Sequence, residues 1–360
     1  MLPIHLKNMP ETTKLDKVIN EINKKFGENT IGRIGVMPTL EAERVSSGSP
    51  YLDWAIGGGW PLGRTIELYG IFSSGKSLIA LRTVAEFQKL GKSVVYIDSE
   101  NAFSPSFAQH IGIDSDKLIL SQISAGEDVF DMIDKLLNTE VSLIVVDSVA
   151  SLLPNYEAEN EMEKQTIGLH ARLMSKGLRK ITAKAAHNKT LIIFVNQIRE
   201  KPTTYGNPNV TTGGRALGFY ASLRIEVSRG DFIEEDKSKI GQQVKFRTTK
   251  SKVSPPFREG YFLFYYPNME VDTPQIIFDG SDELVSMLLL QKKIIRRGAY
   301  YDVVGRTFQG REELEREIRD NEEFKEELNN LWKEEKVKAI EPTEIVEKKE
   351  KKKKEKENDE

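Results

Sequence analysis

The chain has 360 residues, 39% of them hydrophobic, which allows one large domain with appendages or about two ordinary ones. Its net charge is −3 with 30% charged residues, so any nucleic-acid surface must come from local clustering of charge. It has no cysteine and four histidines, which excludes disulfides, cysteine-ligated zinc and thiol catalysis and disfavours a multi-histidine metal site.

In chain order, MLPIHLKNMPETTK carries no apolar run of signal-peptide length. Apolar runs such as LIIFV at 191–195 fall far short of the ~20 residues of a membrane span. A cytoplasmic protein is expected. Leu15, Val18, Ile19, Ile22 and Phe26 recur at helical spacing, and Gly27 follows as a stop signal. This short amphipathic helix either covers its own domain or docks on a neighbouring subunit, and residues 1–35 form an N-terminal segment of helix and linker.

From residue 64, strand-like runs at 65–69, 93–98, 118–121, 142–147 and 190–196 alternate with helical stretches at 77–89, 126–138 and 168–187. Buried parallel strands with helical crossovers read this way. The β-rich runs ASLRIEV, QQVKFRTT and GYFLFYY complete a core over 36–272. The character then changes: helical stretches flank a small hairpin, AYYDVVGRTFQ, in a C-terminal α+β domain over 273–336. Residues 337–360 are rich in Lys and Glu and are expected to be a disordered tail.

One stretch carries chemistry by itself. Gly70, Ile71, Phe72, Ser73, Ser74, Gly75, Lys76 and Ser77, with Leu78 next, match the phosphate-loop pattern and lie between a strand and a helix. The glycines let backbone N–H groups surround phosphate oxygens, Lys76 reaches the β- and γ-phosphates, and Ser77 ligates Mg²⁺. Phosphoryl chemistry also needs a carboxylate for the metal and a group that activates water. Asp147 ends the apolar strand SLIVVD and is the expected metal anchor. Asp98 and Glu100 follow SVVYI, with Glu100 the expected general base. Asn196 and Gln197 end LIIFV; an amide there either senses the γ-phosphate or satisfies local backbone.

These residues resemble the RecA family of bacterial DNA-strand-exchange recombinases from about residue 14 to 335. The similarity includes GRTIELYG, YIDSE, LIVVDSVASL, GLHARLMSKGLRKI, IFVNQIR, YGNPNVTTGGRAL and KSKVSPPF. It implies an α/β, RecA-like ATPase core with a mostly parallel central sheet. ATP and Mg²⁺ are the implied cofactors. Lys76 and Ser77 become nucleotide and metal ligands, Asp147 the metal-anchoring carboxylate, and Glu100 the catalytic glutamate. Gln197 couples the γ-phosphate to a DNA-binding loop, and Phe107 and Tyr266 are nucleotide-side aromatics. Lys250 and Lys252, two apart and hence on one face of a strand, match lysines that reach the γ-phosphate of an adjacent subunit.

The resemblance also places the DNA contacts. Segment 199–213 lacks apolar periodicity, and a polar loop of this length is functional or disordered. Arg199, Thr211, Thr212, Gly213 and Gly214 are its implied contacts. On the helix from Gly168, Arg172, Lys176, Arg179 and Lys180 form a basic stripe beside Ser175; Arg172, Ser175 and Arg179 match DNA contacts. Residues 155–166 are an acidic first loop, in which Ile167 adjoins as a contact. Pro202 and Thr203 stand where an apolar residue wedges between bases, Gly218 replaces a lysine, and Ser104 replaces a carboxylate near adenine.

The function implied is ATP-dependent homologous recombination and DNA repair. The protein would form filaments on single-stranded DNA, pair it with homologous double-stranded DNA and hydrolyse ATP in a DNA-dependent manner. A LexA-type repressor and mediator proteins are further implied partners. The alternatives are a helicase-type motor without homologous pairing and an ATP-switched scaffold.

Overall fold

The computed structural model describes residues 13–27, 30–33, 42–159, 168–200, 209–267 and 276–333. The chain forms two compact units, 1–43 and 44–360. In the first, helix α1 (Lys14–Phe26) begins at Thr13, whose hydroxyl accepts from the Asp16 N–H while the Asp16 carboxylate accepts from the Thr13 N–H. This reciprocal box satisfies donors that a first turn leaves unpaired. None of the helix's residues is buried, and Leu15, Val18 and Phe26 are exposed.

The second unit opens with a ribbon of β1 (Arg44–Val45) and β2 (Trp60–Pro61) around helix α2 (Pro50–Ala55). Strands and helices then alternate as β3 (Thr65–Gly70), α3 (Lys76–Lys89), β4 (Val94–Asp98), α4 (Pro105–Ile111), β5 (Leu118–Ser121), α5 (Gly126–Leu136) and β6 (Leu143–Asp147). Next come α6 (Asn155–Glu159), α7 (Leu169–His187), β7 (Leu191–Glu200), β8 (Asn209–Thr211) and α8 (Ala216–Tyr220). The strands β9 (Leu223–Glu235), β10 (Ser238–Ser251) and β11 (Glu259–Tyr265) pair antiparallel in succession. The C-terminal elements are β12 (Ile277–Asp279), α9 (Gly280–Leu290), a three-stranded sheet of β13 (Ile295–Arg297), β14 (Tyr300–Val303) and β15 (Arg306–Gln309), then α10 (Arg311–Asp320) and α11 (Glu322–Lys333).

The ten-stranded sheet has the order β12-β11-β10-β9-β3-β7-β6-β4-β5, with β8 on the end of β7. Strands β5, β4, β6, β7, β3 and β9 are mutually parallel, as expected of an α/β fold, and β10 to β12 extend them antiparallel. Successive side chains leave opposite faces of a strand. In β6, Leu143 and Val145 join the apolar layer under α3, whereas Ile144 and Val146 join the one under α5 and α7. Both faces are covered, so these strands read as continuous apolar runs.

Strands β7, β9 and β10 outrun their expected spans. β7 continues past residue 196 to Glu200 because β8 returns to pair with it, Ile198 against Thr211. Leu284, Val285, Met287 and Leu288 of α9 lie in the same apolar cluster as Ile66 and Leu68 of β3. Pro202, Thr203 and the tail from 337 lie outside the described residues.

Candidate nucleotide and DNA site

The loop after β3 is built on steric necessity. A Cβ on Gly70 would lie 2.0 Å from the Val227 carbonyl oxygen, and one on Gly75 would meet the Val244 side chain at 2.8 Å. Gly75 also sits at φ +98°, a conformation that side chains resist. Ile71 and Phe72 between them are exposed. The loop runs into α3, whose N-terminus has no side-chain cap; first-turn N–H groups without intrahelical partners are a ready anion site. Leu78 is packed in the core, so only its backbone can serve that site.

Lys76 is buried, and its ammonium donates to the Ile71 carbonyl at 2.5 Å and reaches Ser74 Oγ at 3.4 Å. Burial lowers its pKa, against the opposing pull of the Asp147 and Glu100 carboxylates. A desolvated ammonium hydrogen-bonded to neutral oxygens of its own loop fits a phosphate. Asp147, at the end of β6, accepts hydrogen bonds from Tyr96 at 2.7 Å and from Ser77. Burial raises its pKa; those two bonds and Lys76 work the other way, while Glu100 adds to the rise. A buried carboxylate beside the Ser77 hydroxyl is the oxygen-rich pair that suits Mg²⁺. Among the described residues there is no cluster of three or more His, Cys, Asp or Glu side chains that could hold a metal ion.

Parallel pairing delivers the remaining groups to the same edge. Gly70 is in register with Gln197, and Asp98 with Asp147, so Glu100 and Gln197 emerge where open α/β sheets bind ligands. Glu100 Oε1 accepts from the Ser148 hydroxyl and from Gln197 Nε2 at 3.1 Å. The sequence alone does not single out Ser148; a hydroxyl directly after the strand-ending Asp147 is its one signal there. Asp98 turns inward and accepts from the Ala102 and Phe103 N–H groups and from Gln122. It shapes the turn that carries Glu100. Phe107 and Tyr266 are both about two-fifths exposed, at 38% and 39%. Each offers a ring face or edge to solvent, and Tyr266 rests edge-on against Phe264.

The two lysines do not share a regular strand face. A bulge falls between Thr248 and Lys250, and β10 ends at Ser251, so Lys252 lies beyond it and is exposed. Lys250 Nζ instead donates to the carbonyls of Gly218 at 2.7 Å and Phe219 at 3.0 Å, at the end of α8. Burial, then the nearby Lys252 and Arg224, lower its pKa.

Among the residues expected to contact DNA, Thr211 ends β8 and the Thr212 N–H donates to the Gln197 carbonyl at 3.2 Å. Gly213 and Gly214 follow with φ of +86° and +74°; a Cβ on either would stand 3.0 Å from Met174 or Ala171 of α7. The turn therefore lies against α7, next to Arg172 and Ser175. Arg172, Lys176 and Arg179 are exposed and Ser175 is half-buried. Lys180 departs from the expected stripe, because it pairs with Asp131 at 2.9 Å and Asp134 at 3.1 Å on α5. Ile167 and the Arg199 side chain lie outside the described residues. Asn196 is fully buried: its Nδ2 donates to Glu67 and to the Thr212 carbonyl, and its Oδ1 accepts from the Gln197 N–H. Of its two readings, the structure selects the amide that satisfies local backbone.

Strand, glycine loop, helix-borne lysine and hydroxyl, and a carboxylate on a second strand define a P-loop nucleotide triphosphatase. The family model described as the RecA N-terminal domain matches residues 13–269. Protein RecA of Lactobacillus delbrueckii subsp. bulgaricus is 41% identical over 318 residues, covering 87% of this chain and 94% of the relative. Protein RecA of Nostoc punctiforme is 39% identical over 323 residues, covering 89% and 88%. The chain belongs to the RecA family. It is an ATP-binding, DNA-dependent ATPase of homologous recombination and DNA repair, and it binds DNA and assembles into filaments. Among the described residues, no helix is long and apolar enough to cross a membrane.

Proposed function

We propose that this site hydrolyses ATP and reports the state of the γ-phosphate to the DNA-facing turn. Lys76 and the backbone of residues 70–78 hold the phosphates, with Phe107 and Tyr266 against the base side. Ser77 directly and Asp147 through water would hold Mg²⁺, which when bound supplies positive charge against the phosphates. Glu100 takes the proton of the attacking water on Oε2, since Oε1 is engaged by Ser148 and Gln197. Lys250 and Lys252 act on the nucleotide of an adjacent subunit, where charge supplied in trans works as an arginine finger does. This requires Lys250 to leave the Gly218 and Phe219 carbonyls.

Thr211, Thr212, Gly213 and Gly214, with Arg172, Ser175, Arg179, Arg199 and Ile167, grip single-stranded DNA. Contacts of this kind follow the sugar–phosphate backbone, which leaves sequence matching to pairing with a homologous duplex. Residues 1–35 serve filament assembly, 36–272 form the ATPase core, 273–336 a C-terminal domain and 337–360 a tail. A cytoplasmic setting with a LexA-type repressor and mediator proteins as partners completes the reading.

The observation that carries it is that Gln197 touches both ends, its side-chain amide donating to Glu100 and its backbone carbonyl accepting from the Thr212 N–H. The test is a strand-exchange assay with homologous and heterologous duplexes, run beside ATPase with and without single-stranded DNA. Joint molecules with the homologous duplex alone, and ATPase raised by DNA, are expected. Joint molecules with neither duplex would refute pairing.

A further inference from the structure

Glu67 is fully buried at the middle of the sheet, on β3 between β7 and β9, where a carboxylate is costly unless paired. Its two oxygens serve different strands. Oε1 accepts from Asn196 Nδ2 at 2.8 Å, and the same nitrogen donates to the Thr212 carbonyl at 3.0 Å, where the DNA-facing turn begins. Oε2 accepts from Arg224 Nε on β9.

From Arg224 the chain of contacts continues. The guanidinium lies over the Tyr69 ring, 4.6 Å from its centroid, and Tyr69 Oη donates to Thr249 Oγ1 at 2.8 Å. Thr249 falls in the β10 bulge next to Lys250. Gly218, whose carbonyl receives Lys250, has room for a Cβ only 3.5 Å from the Arg224 guanidinium carbon. One carboxylate thus ties the start of the DNA-facing turn to the end of β10 that carries Lys250.

We propose that Glu67 is a positioning residue that couples DNA occupancy of the turn to the placement of Lys250. The proposal rests on the roles given above to residues 211–214 and to Lys250. A shift of Thr212 on binding DNA moves Asn196, and the shared carboxylate carries that shift to Arg224, Tyr69 and the bulge. Coupling of this kind needs a contiguous packed and hydrogen-bonded path, which these contacts supply.

A buried ion pair exchanged whole for apolar residues often keeps or raises stability, so coupling can be separated from folding. In Glu67→Leu/Arg224→Met, ATPase without DNA stays within about twofold of wild type while stimulation by single-stranded DNA falls about tenfold. Tyr69→Phe, which removes one hydroxyl, lowers the stimulation by about threefold with DNA-free turnover unchanged. Wild-type stimulation in a folded Glu67→Leu/Arg224→Met protein overturns the proposal, as does a lowered thermal midpoint with stimulation intact. If that pair does not fold, wild-type stimulation in Tyr69→Phe overturns it. Absence of DNA stimulation in the wild type would instead remove the underlying site roles.

Discussion

Glu100 is held by two donors, Ser148 and Gln197, so its placement and its basicity can be tested apart. Glu100→Gln keeps the side-chain shape and removes the proton acceptor. General-base catalysis contributes about 10²–10⁴-fold, and hydrolysis should fall by that order while ATP-dependent binding to single-stranded DNA persists. Single-turnover hydrolysis beside DNA-binding anisotropy checks both, and unchanged turnover removes Glu100 as the base. At this scale the phosphate loop is legible in the sequence because its chemistry is confined to consecutive residues. Asp147 and Glu100 are legible because a carboxylate at the end of an apolar strand needs a reason to be there. The pairing of Glu67 with Asn196 and Arg224 is not legible. Its partners lie 129 and 157 residues away, and only the strand order brings them together.

Helix α7 shows how packing decides which of an element's charges are paired within the protein. Arg172, Lys176, Arg179 and Lys180 read as one stripe, yet Lys180 turns to Asp131 and Asp134 of α5, and Lys184, one turn further on, pairs with Asp134 as well. Arg172 and Arg179 remain exposed. On single strands each phosphate contact contributes about 0.7 to the slope of log affinity against log salt. The double change Arg172→Ala and Arg179→Ala should therefore flatten that slope by roughly 1.4, whereas Lys180→Ala should leave it unaltered. Titrations at several salt concentrations measure this, and an equal effect from Lys180→Ala would return that residue to the DNA face. Strand and helix order is visible from alternating apolar runs, but which charges are neutralised depends on how α5 and α7 pack. The β10 bulge is hidden for the same reason. An extra residue leaves no mark in a run that is β-prone throughout, so the spacing of Lys250 and Lys252 misleads.

Across the second unit, a buried charge cluster joins α2, α3 and α9. Glu283 of α9 is fully buried, accepts from the Ser49 hydroxyl and lies 3.6 Å from the Arg82 guanidinium of α3. Arg82 is in turn stacked on Phe278, 4.0 Å from the ring centroid. Asp53 of α2 completes the cluster and accepts from Ser46 at 2.6 Å and the Ser47 N–H at 2.8 Å. Burial pushes the Glu283 pKa up to about 7, against the pull of Arg82 and the bond from Ser49, and burial raises Asp53 as well. A carboxyl whose folded pKa exceeds its unfolded value keeps its proton longer in the fold. Its contribution to stability is complete below the unfolded value of 4.5 and is lost as pH rises through about 7. Glu283→Gln retains the shape of the neutral acid and does not titrate. Between pH 5.5 and 8 the variant should therefore gain on the wild type by on the order of 2 kcal/mol. Urea midpoints at those two pH values read the difference directly. A gap that stays constant with pH would mean that Glu283 is ionised throughout and that Arg82 fully offsets its burial.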